Sequence, residues 1–162
     1  MENVKFKVKS IGQIGIVVED LQKAVKNYWD NFGIGPWSIY TAAPPDLTDT
    51  FVRGEPASFS MKLAFTKAGS IMIELIQPLE GESIYNEFIR EKGGGLHHIA
   101  TYEVEDMNKA LSSLEKEGIK VLQKGKWRGA SFAYLDTEKI LGIIIELVKR
   151  TGEFPTPEAT YP

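Results

Sequence analysis

The chain contains no cysteine. Disulfides, thiolate metal centres and cysteine nucleophiles are therefore excluded, and the absence fits the reducing cytoplasm that is the expected compartment. Only two histidines occur, His97 and His98, so any imidazole chemistry rests on this one pair. No apolar run reaches the roughly 18 residues of a membrane-spanning helix. The N-terminal stretch Met1-Glu-Asn-Val-Lys-Phe-Lys-Val-Lys lacks the apolar centre of a secretory signal. An excess of positive charge is missing too. Lys and Arg number 19 against 22 Asp and Glu, a net charge of −3, which argues against nucleic acid or an anionic membrane as the main partner.

What is present is an ordinary soluble composition, 43% hydrophobic and 25% charged over 162 residues. That length fits one domain or two small fused units. A half of about 75 residues would be marginal alone, so the halves are expected to share burial.

The chain repeats itself. Ile11-Gly-Gln-Ile-Gly-Ile-Val-Val-Glu-Asp-Leu-Gln-Lys-Ala and Leu96-His-His-Ile-Ala-Thr-Tyr-Glu-Val-Glu-Asp-Met-Asn-Lys-Ala each read as an apolar strand, an acidic turn and an amphipathic helix. The units end alike, in Ile71-Met-Ile-Glu-Leu and Ile143-Ile-Ile-Glu-Leu. Gln13 and His98 hold the same place, as do Glu74 and Glu146. The spacing of about 85 residues marks an internal duplication rather than a solenoid.

Helices are predicted at 21–32 after an Asp20 cap, with Leu21, Ala24, Val25, Tyr28 and Phe32 on one face, at 83–91, and at 107–117 after an Asp106 cap, with Met107, Ala110, Leu111 and Leu114 inward. Strands are predicted near 11–18, 37–42, 58–66, 70–77, 96–104, 119–123, 130–135 and 141–148. Residues 43–57, with three prolines, read as a loop. Gly93-Gly-Gly marks the junction between modules at 1–92 and 93–149. Residues 150–162 form a tail expected on the surface or partly disordered. Each half is β-α-β-β-β, an α+β arrangement.

Residues two apart in a strand share a face. Gln13 then lies with Gly15 and Val17, His98 with Ala100 and Tyr102, Glu74 with Met72 and Ile76, and Glu146 with Ile144 and Val148. His97 points to the other face. Glu74 and Glu146 interrupt apolar strands, and a carboxylate buried there must be protonated, paired or metal-bound. No Lys or Arg repeats beside both. A divalent metal held by Gln13, Glu74, His98 and Glu146 meets the requirement at both positions with a hard-to-borderline donor set.

These motifs, Gln13-Ile-Gly-Ile, Gly95-Leu-His-His-Ile-Ala and the two Ile-Glu-Leu strand ends, resemble the vicinal oxygen chelate superfamily. It includes glyoxalase I, methylmalonyl-CoA epimerase, extradiol dioxygenases, fosfomycin-resistance proteins and bleomycin-binding proteins. The resemblance covers about residues 10–149. It implies tandem βαβββ modules whose curled mixed sheets surround a central cavity, and a divalent metal (Zn, Ni, Co or Mn) on Gln13, Glu74, His98 and Glu146. It implies a metal-dependent lyase, isomerase or epimerase, lactoylglutathione lyase-like or methylmalonyl-CoA epimerase-like. Its small-molecule substrate would be a hemithioacetal or acyl-CoA thioester. Glu146 would be the base and Glu74 would serve the opposite face, in a homodimer.

Three departures bear on the branch. The first ligand position is commonly His and here is Gln13. A further epimerase glutamate would fall in the strand at 58–66, where only Met61 or Lys62 stands. Clear counterparts of the glutathione-holding arginines are also missing among Arg53, Arg90 and Arg128. The rival from another class is a metal-free, bleomycin-resistance-like binding protein, marked by Gln13 turned into backbone hydrogen bonds. An Fe(II) dioxygenase is disfavoured because it resembles a site with two histidines and a carboxylate. Trp37, Tyr40, Phe59, Phe65 and Trp127 read as core or pocket wall. Lys124, Lys126 and Arg128 read as a solvated turn rather than a phosphate grip.

Overall fold

The computed structural model describes residues 6–162, so the first five residues of the expected first module, and of the N-terminal stretch read above, lie outside the described residues. In chain order the elements are β1 (Gln13–Val17), α1 (Leu21–Phe32), β2 (Trp37–Ala42), β3 (Leu47–Val52), β4 (Glu55–Pro56), β5 (Met61–Ala68), β6 (Ile71–Pro78), α2 (Ile84–Lys92), β7 (Gly95–Thr101), α3 (Met107–Lys116), β8 (Val121–Trp127), β9 (Ala130–Leu135), α4 (Glu138–Leu141), β10 (Ile144–Arg150) and β11 (Ala159–Tyr161). The fold is α+β, with one open, curled mixed sheet ordered β11-β2-β5-β6-β1-β7-β10-β9-β8-β3-β4.

That order is palindromic about its centre. β1 pairs antiparallel with β7, and each then runs parallel to the last strand of its own half, β1 with β6 and β7 with β10. The outer face of each half is covered by its long helix. Leu21 and Val25 of α1 pack on Trp37, Ile39, Ala64 and Leu75. Ala110 of α3 packs on Leu135 and Leu147, with Met107, Leu111 and Leu114 against them. Both helices begin the same way: Asp20 accepts from the Lys23 amide and Asp106 from the Lys109 amide, each at 2.9 Å. The inner face holds the largest cluster, where Tyr40, Phe59, Met61, Leu63, Phe65 and Ile76 meet Tyr85 and Phe88 of α2 and Trp127, Phe132 and Tyr134 of the second half.

Four expectations are corrected. Phe32 does not join the apolar face of α1. It is 77% exposed, because Gly33 turns left-handed (φ 62°) and ends the helix before that side chain reaches the sheet. The loop at 43–57 contains β3 and β4, and β3 crosses to pair with β8 of the other half. Residues 138–141, at the edge of the last predicted strand, form the short helix α4. The tail lies on the surface and is tied down there. β11 pairs antiparallel with β2, and the Glu158 carboxylate accepts from the Thr41 amide and hydroxyl at 2.9 and 3.0 Å. The basic run is not a turn as expected: Lys124 and Lys126 lie within β8 and only Arg128 is in the turn after it, with Lys126 and Arg128 ion-paired to Asp49 and Asp46 at 2.8 Å. Among the described residues no helix is long and apolar enough to cross a membrane.

The matched caps yield a stability prediction. Asp20→Ala and Asp106→Ala should each cost about 1 kcal/mol, and the double variant should lose the sum, read from urea unfolding midpoints. Unchanged midpoints would contradict the capping assignment.

Candidate functional site

The centre of the sheet brings together residues far apart in sequence. Gly15 on β1 lies opposite Glu74 of β6 on one side and His98 of β7 on the other. Glu146 of β10 lies opposite Ala100 of β7. Glu74 and Glu146 thus stand at the same register step beyond Gln13 and His98. All four side chains point to the inner face and are buried, from 0% exposure at His98 to 6% at Glu74. His98 Nε2 lies 3.3 Å from Glu74 Oε2 and 3.1 Å from Glu146 Oε2. Gln13 Nε2 donates to Glu74 Oε2 at 2.8 Å and to Glu146 Oε2 at 3.3 Å.

Gly15 makes this convergence possible. A Cβ there would lie 1.8 Å from His98 Cε1, so the imidazole occupies the volume of the missing side chain.

His97 departs from strict strand alternation. The β1–β7 register steps from Gly15↔His98 to Ile16↔Leu96, which leaves His97 as the extra residue of a β-bulge. Bulges re-aim side chains. Here His97 turns toward His98, with Nδ1 to Nδ1 at 3.0 Å, rather than to the opposite face. Its ring is boxed by Phe88, Tyr85 and Tyr134 at centroid distances of 5.0, 5.6 and 5.7 Å. Burial, helped by the positive charges of His98 and Lys92, lowers its pKa to about 2. A neutral His97 accepts the Nδ1 proton of His98, which fixes the His98 ring with Nε2 between the two carboxylates.

The electrostatics follow from burial and proximity. Burial alone would lower His98, but the charges and hydrogen bonds of Glu146 and Glu74 outweigh it and raise the imidazole to about 9. Burial raises Glu74, as does the neighbouring Glu146 charge, with His98 opposing. Burial, with the same two carboxylates, holds the Tyr102 hydroxyl far above its ordinary value. That hydroxyl donates to Gln13 Oε1.

These donors suit a divalent ion. Ligand atoms of Glu74, His98 and Glu146 lie within 4.8 Å of one another, and two carboxylates balance one dication. The Gln13 amide oxygen faces Tyr102 rather than the cluster. A half-turn of the amide brings Oε1 inward while Tyr102, whose hydroxyl both donates and accepts, keeps its bond. Gln13 makes its side-chain bonds within the cluster and to Tyr102, not to backbone.

The cluster forms the floor of a cavity walled by Met61, Leu63, Phe65, Trp127, Phe132 and Tyr134. Its volume is about 50 Å³. The three β5 residues lining it are Met61, Leu63 and Phe65, so β5 adds no carboxylate and Lys62 is not part of the wall. Of the predicted aromatic wall, Phe65 and Trp127 line the cavity, while Trp37, Tyr40 and Phe59 are buried core. Sequence reasoning gave no role to Tyr102, Arg150 or Phe154, all of which line it. The period-two rule signalled the first two, since Tyr102 falls on the face of His98 and Arg150 on the face of Glu146.

The chain is similar to known proteins over most of its length. A sequence profile of the Glyoxalase/Bleomycin resistance protein/Dioxygenase superfamily matches residues 12–134. The uncharacterized protein YqjC of Bacillus subtilis is 30% identical over 134 residues, covering 78% of this chain and 95% of that one. The ethylmalonyl-CoA/methylmalonyl-CoA epimerase of Cereibacter sphaeroides is 30% identical over 142 residues, covering 85% and 95%. The crystal structure of methylmalonyl-CoA epimerase from Mycobacterium tuberculosis superposes with a TM-score of 0.64 at 21% identity, over 90% of each chain, and shares the fold.

The histidine pair predicts the pH profile of the metal-free protein. His98, raised to about 9, contributes stability that is complete below about pH 6.5, the unfolded value, and is lost as pH rises through 9. His97, lowered to about 2, acts in reverse: its contribution is present above about 6.5 and fades as pH falls. With no other histidine in the chain, stability in EDTA between pH 5 and 9 should peak near 6.5. His98→Gln should flatten the alkaline limb and His97→Phe the acid limb. A wild-type profile that rises steadily to pH 9 would refute this.

Proposed function

Because this chain belongs to the glyoxalase/bleomycin resistance protein/dioxygenase superfamily, we propose that it is a metal-dependent epimerase. It acts at the carbon beside a thioester carbonyl, on an acyl-CoA of the methylmalonyl or ethylmalonyl type. The observation that carries this reading is the pair Glu74 and Glu146, one from each half, set against the same imidazole nitrogen at 3.3 and 3.1 Å. Inverting a carbon centre calls for one group that removes a proton and another that returns it to the other face. Two pseudo-symmetric carboxylates meet that demand. The similarity to the Cereibacter sphaeroides epimerase supports the substrate class. The division into modules at 1–92 and 93–149 belongs to the same proposal, since it assigns one carboxylate to each module.

Gln13, Glu74, His98 and Glu146 would hold a divalent ion of the Zn, Ni, Co or Mn kind. When bound, such an ion supplies Lewis acidity toward a carbonyl oxygen and so acidifies the adjacent C–H. Glu146 removes the proton. Glu74, whose burial favours the protonated form, returns one to the opposite face, and the two exchange roles in the reverse direction. His97 keeps the His98 Nδ1 proton engaged and its Nε2 in place. Phe65, Phe132 and Tyr134 leave little room for water, so the planar carbanion is protonated by the carboxylates rather than by solvent. A homodimer in the cytoplasm is part of the proposal. The metal-free alternative draws on the inward Gln13 Nε2, and the amide half-turn available to that side chain removes the obstacle.

In deuterium oxide, the purified protein supplied with Zn, Ni, Co or Mn should exchange the α-proton of methylmalonyl-CoA and interconvert its epimers. Glu146→Gln should lower exchange by at least about 100-fold, and metal content should fall in Glu146→Ala. Hemithioacetals serve as the comparison substrate. No exchange with any of the four metals would sink the epimerase reading.

A further inference from the structure

The cavity contains one cation that the chemistry above does not use. Arg150 ends β10 on the face of Glu146 and Val148, and all three line the cavity. Four residue steps along β10, about 13 Å of strand, take the backbone from Glu146 to Arg150 at the strand end. Its guanidinium is held in place from two sides. One terminal nitrogen donates to the Arg128 carbonyl at 3.1 Å, and the Phe154 ring lies 4.3 Å from Cζ. Phe154 is itself set edge-on against Phe65 and Tyr40, with centroids at 5.1 and 5.8 Å. Among the described residues no carboxylate lies within ion-pair distance of Arg150, and its Nε is buried with no hydrogen-bond partner. The other arginines near or beyond the cavity all have acids: Arg53 pairs with Glu87, Arg90 with Glu82 and Arg128 with Asp46.

An orientationally fixed guanidinium with no counter-ion and a buried Nε–H left without a partner is short of an anion. Leaving it unpaired is costly, and the Nε–H and second terminal N–H form the planar fork that matches a carboxylate or phosphate. Burial already pulls its pKa below the ordinary arginine value, the mark of a charge short of partners.

We propose that Arg150 is an oxyanion subsite in the cavity wall, which grips a carboxylate or phosphate on the carrier part of the ligand. A phosphate of coenzyme A or a terminal carboxylate of glutathione would supply such an oxyanion. This inference rests on the reading of the cavity as the substrate site, and it narrows that substrate to a conjugate with an anionic carrier.

The test is calorimetric binding of coenzyme A, S-methylglutathione and uncharged pantetheine to wild type, Arg150→Met and Arg150→Lys. Wild type should bind one of the two anionic compounds, and which one binds identifies the source of the oxyanion. Arg150→Met should weaken that binding about tenfold and Arg150→Lys less, because a lysine keeps the charge without the fork. Pantetheine should bind all three proteins alike. Melting temperatures establish that the variants are folded. If Arg150→Met is not, the comparison rests on Arg150→Lys, whose affinity must fall several-fold. Wild-type affinity in the variants, or no binding of either anion to wild type, would overturn the subsite. Arginine-dependent coenzyme A binding in a protein that exchanges no α-proton would sink the epimerase and leave the subsite standing. Exchange with an unchanged KM in Arg150→Met would do the opposite.

Discussion

Two carboxylates side by side in an apolar sheet repel each other and lose their hydration, and neither loss is tolerable without positive charge between them. Glu74 and Glu146 face this problem at the centre of the molecule, and the surrounding structure answers it. His98 supplies a proton shared between them, Gln13 adds two N–H donors, and Tyr102 holds Gln13 in position. His97 then secures His98 from behind. The arrangement that stabilises the metal-free protein by a proton carries the same donor atoms that, in the proposed function, would take a dication in its place.

Much of this was legible from residues alone. The repeated Ile-Glu-Leu strand ends placed both glutamates, and Gln13 and His98 fell into equivalent positions because strand periodicity is rigid and the duplication preserved it. The two Asp-capped helices were readable because capping is local chemistry. What escaped were features whose cause lies elsewhere in the chain. The bulge at His97 is set by how β7 meets β1, where Gly15 makes room for an imidazole. Nothing in Leu96-His97-His98 announces it. β3 was hidden by prolines at 44, 45 and 56, and it exists because the edge of β8 is available to pair with it. Arg150 was passed over as part of a tail, although it keeps the period of the strand that carries Glu146.

The cavity gains its character from both halves and from the tail. β5 contributes only Met61, Leu63 and Phe65 to the wall, so the carboxylates that line the cavity come from β6 and β10. Phe154 reaches back from beyond the repeat to pack on Arg150, Phe65 and Tyr40, and β11 anchors that return on the edge of β2. The twelve or so residues after the duplicated unit are therefore part of the site's architecture.

The pairing of β3 with β8 bears on how the molecule comes into being. Leu47 meets Trp127 and Val52 meets Gln123, partners separated by some 70–80 positions. During synthesis β3 leaves the ribosome well before its mate exists, so the sheet closes only once nearly the whole chain has emerged. Such long-range closure is slow, and until it occurs an open edge is offered to any neighbour. A second nascent copy carries the same β8 and satisfies that edge equally well. The crossing hairpin that ties the halves together is one of several long-range pairings on which closure of the sheet depends.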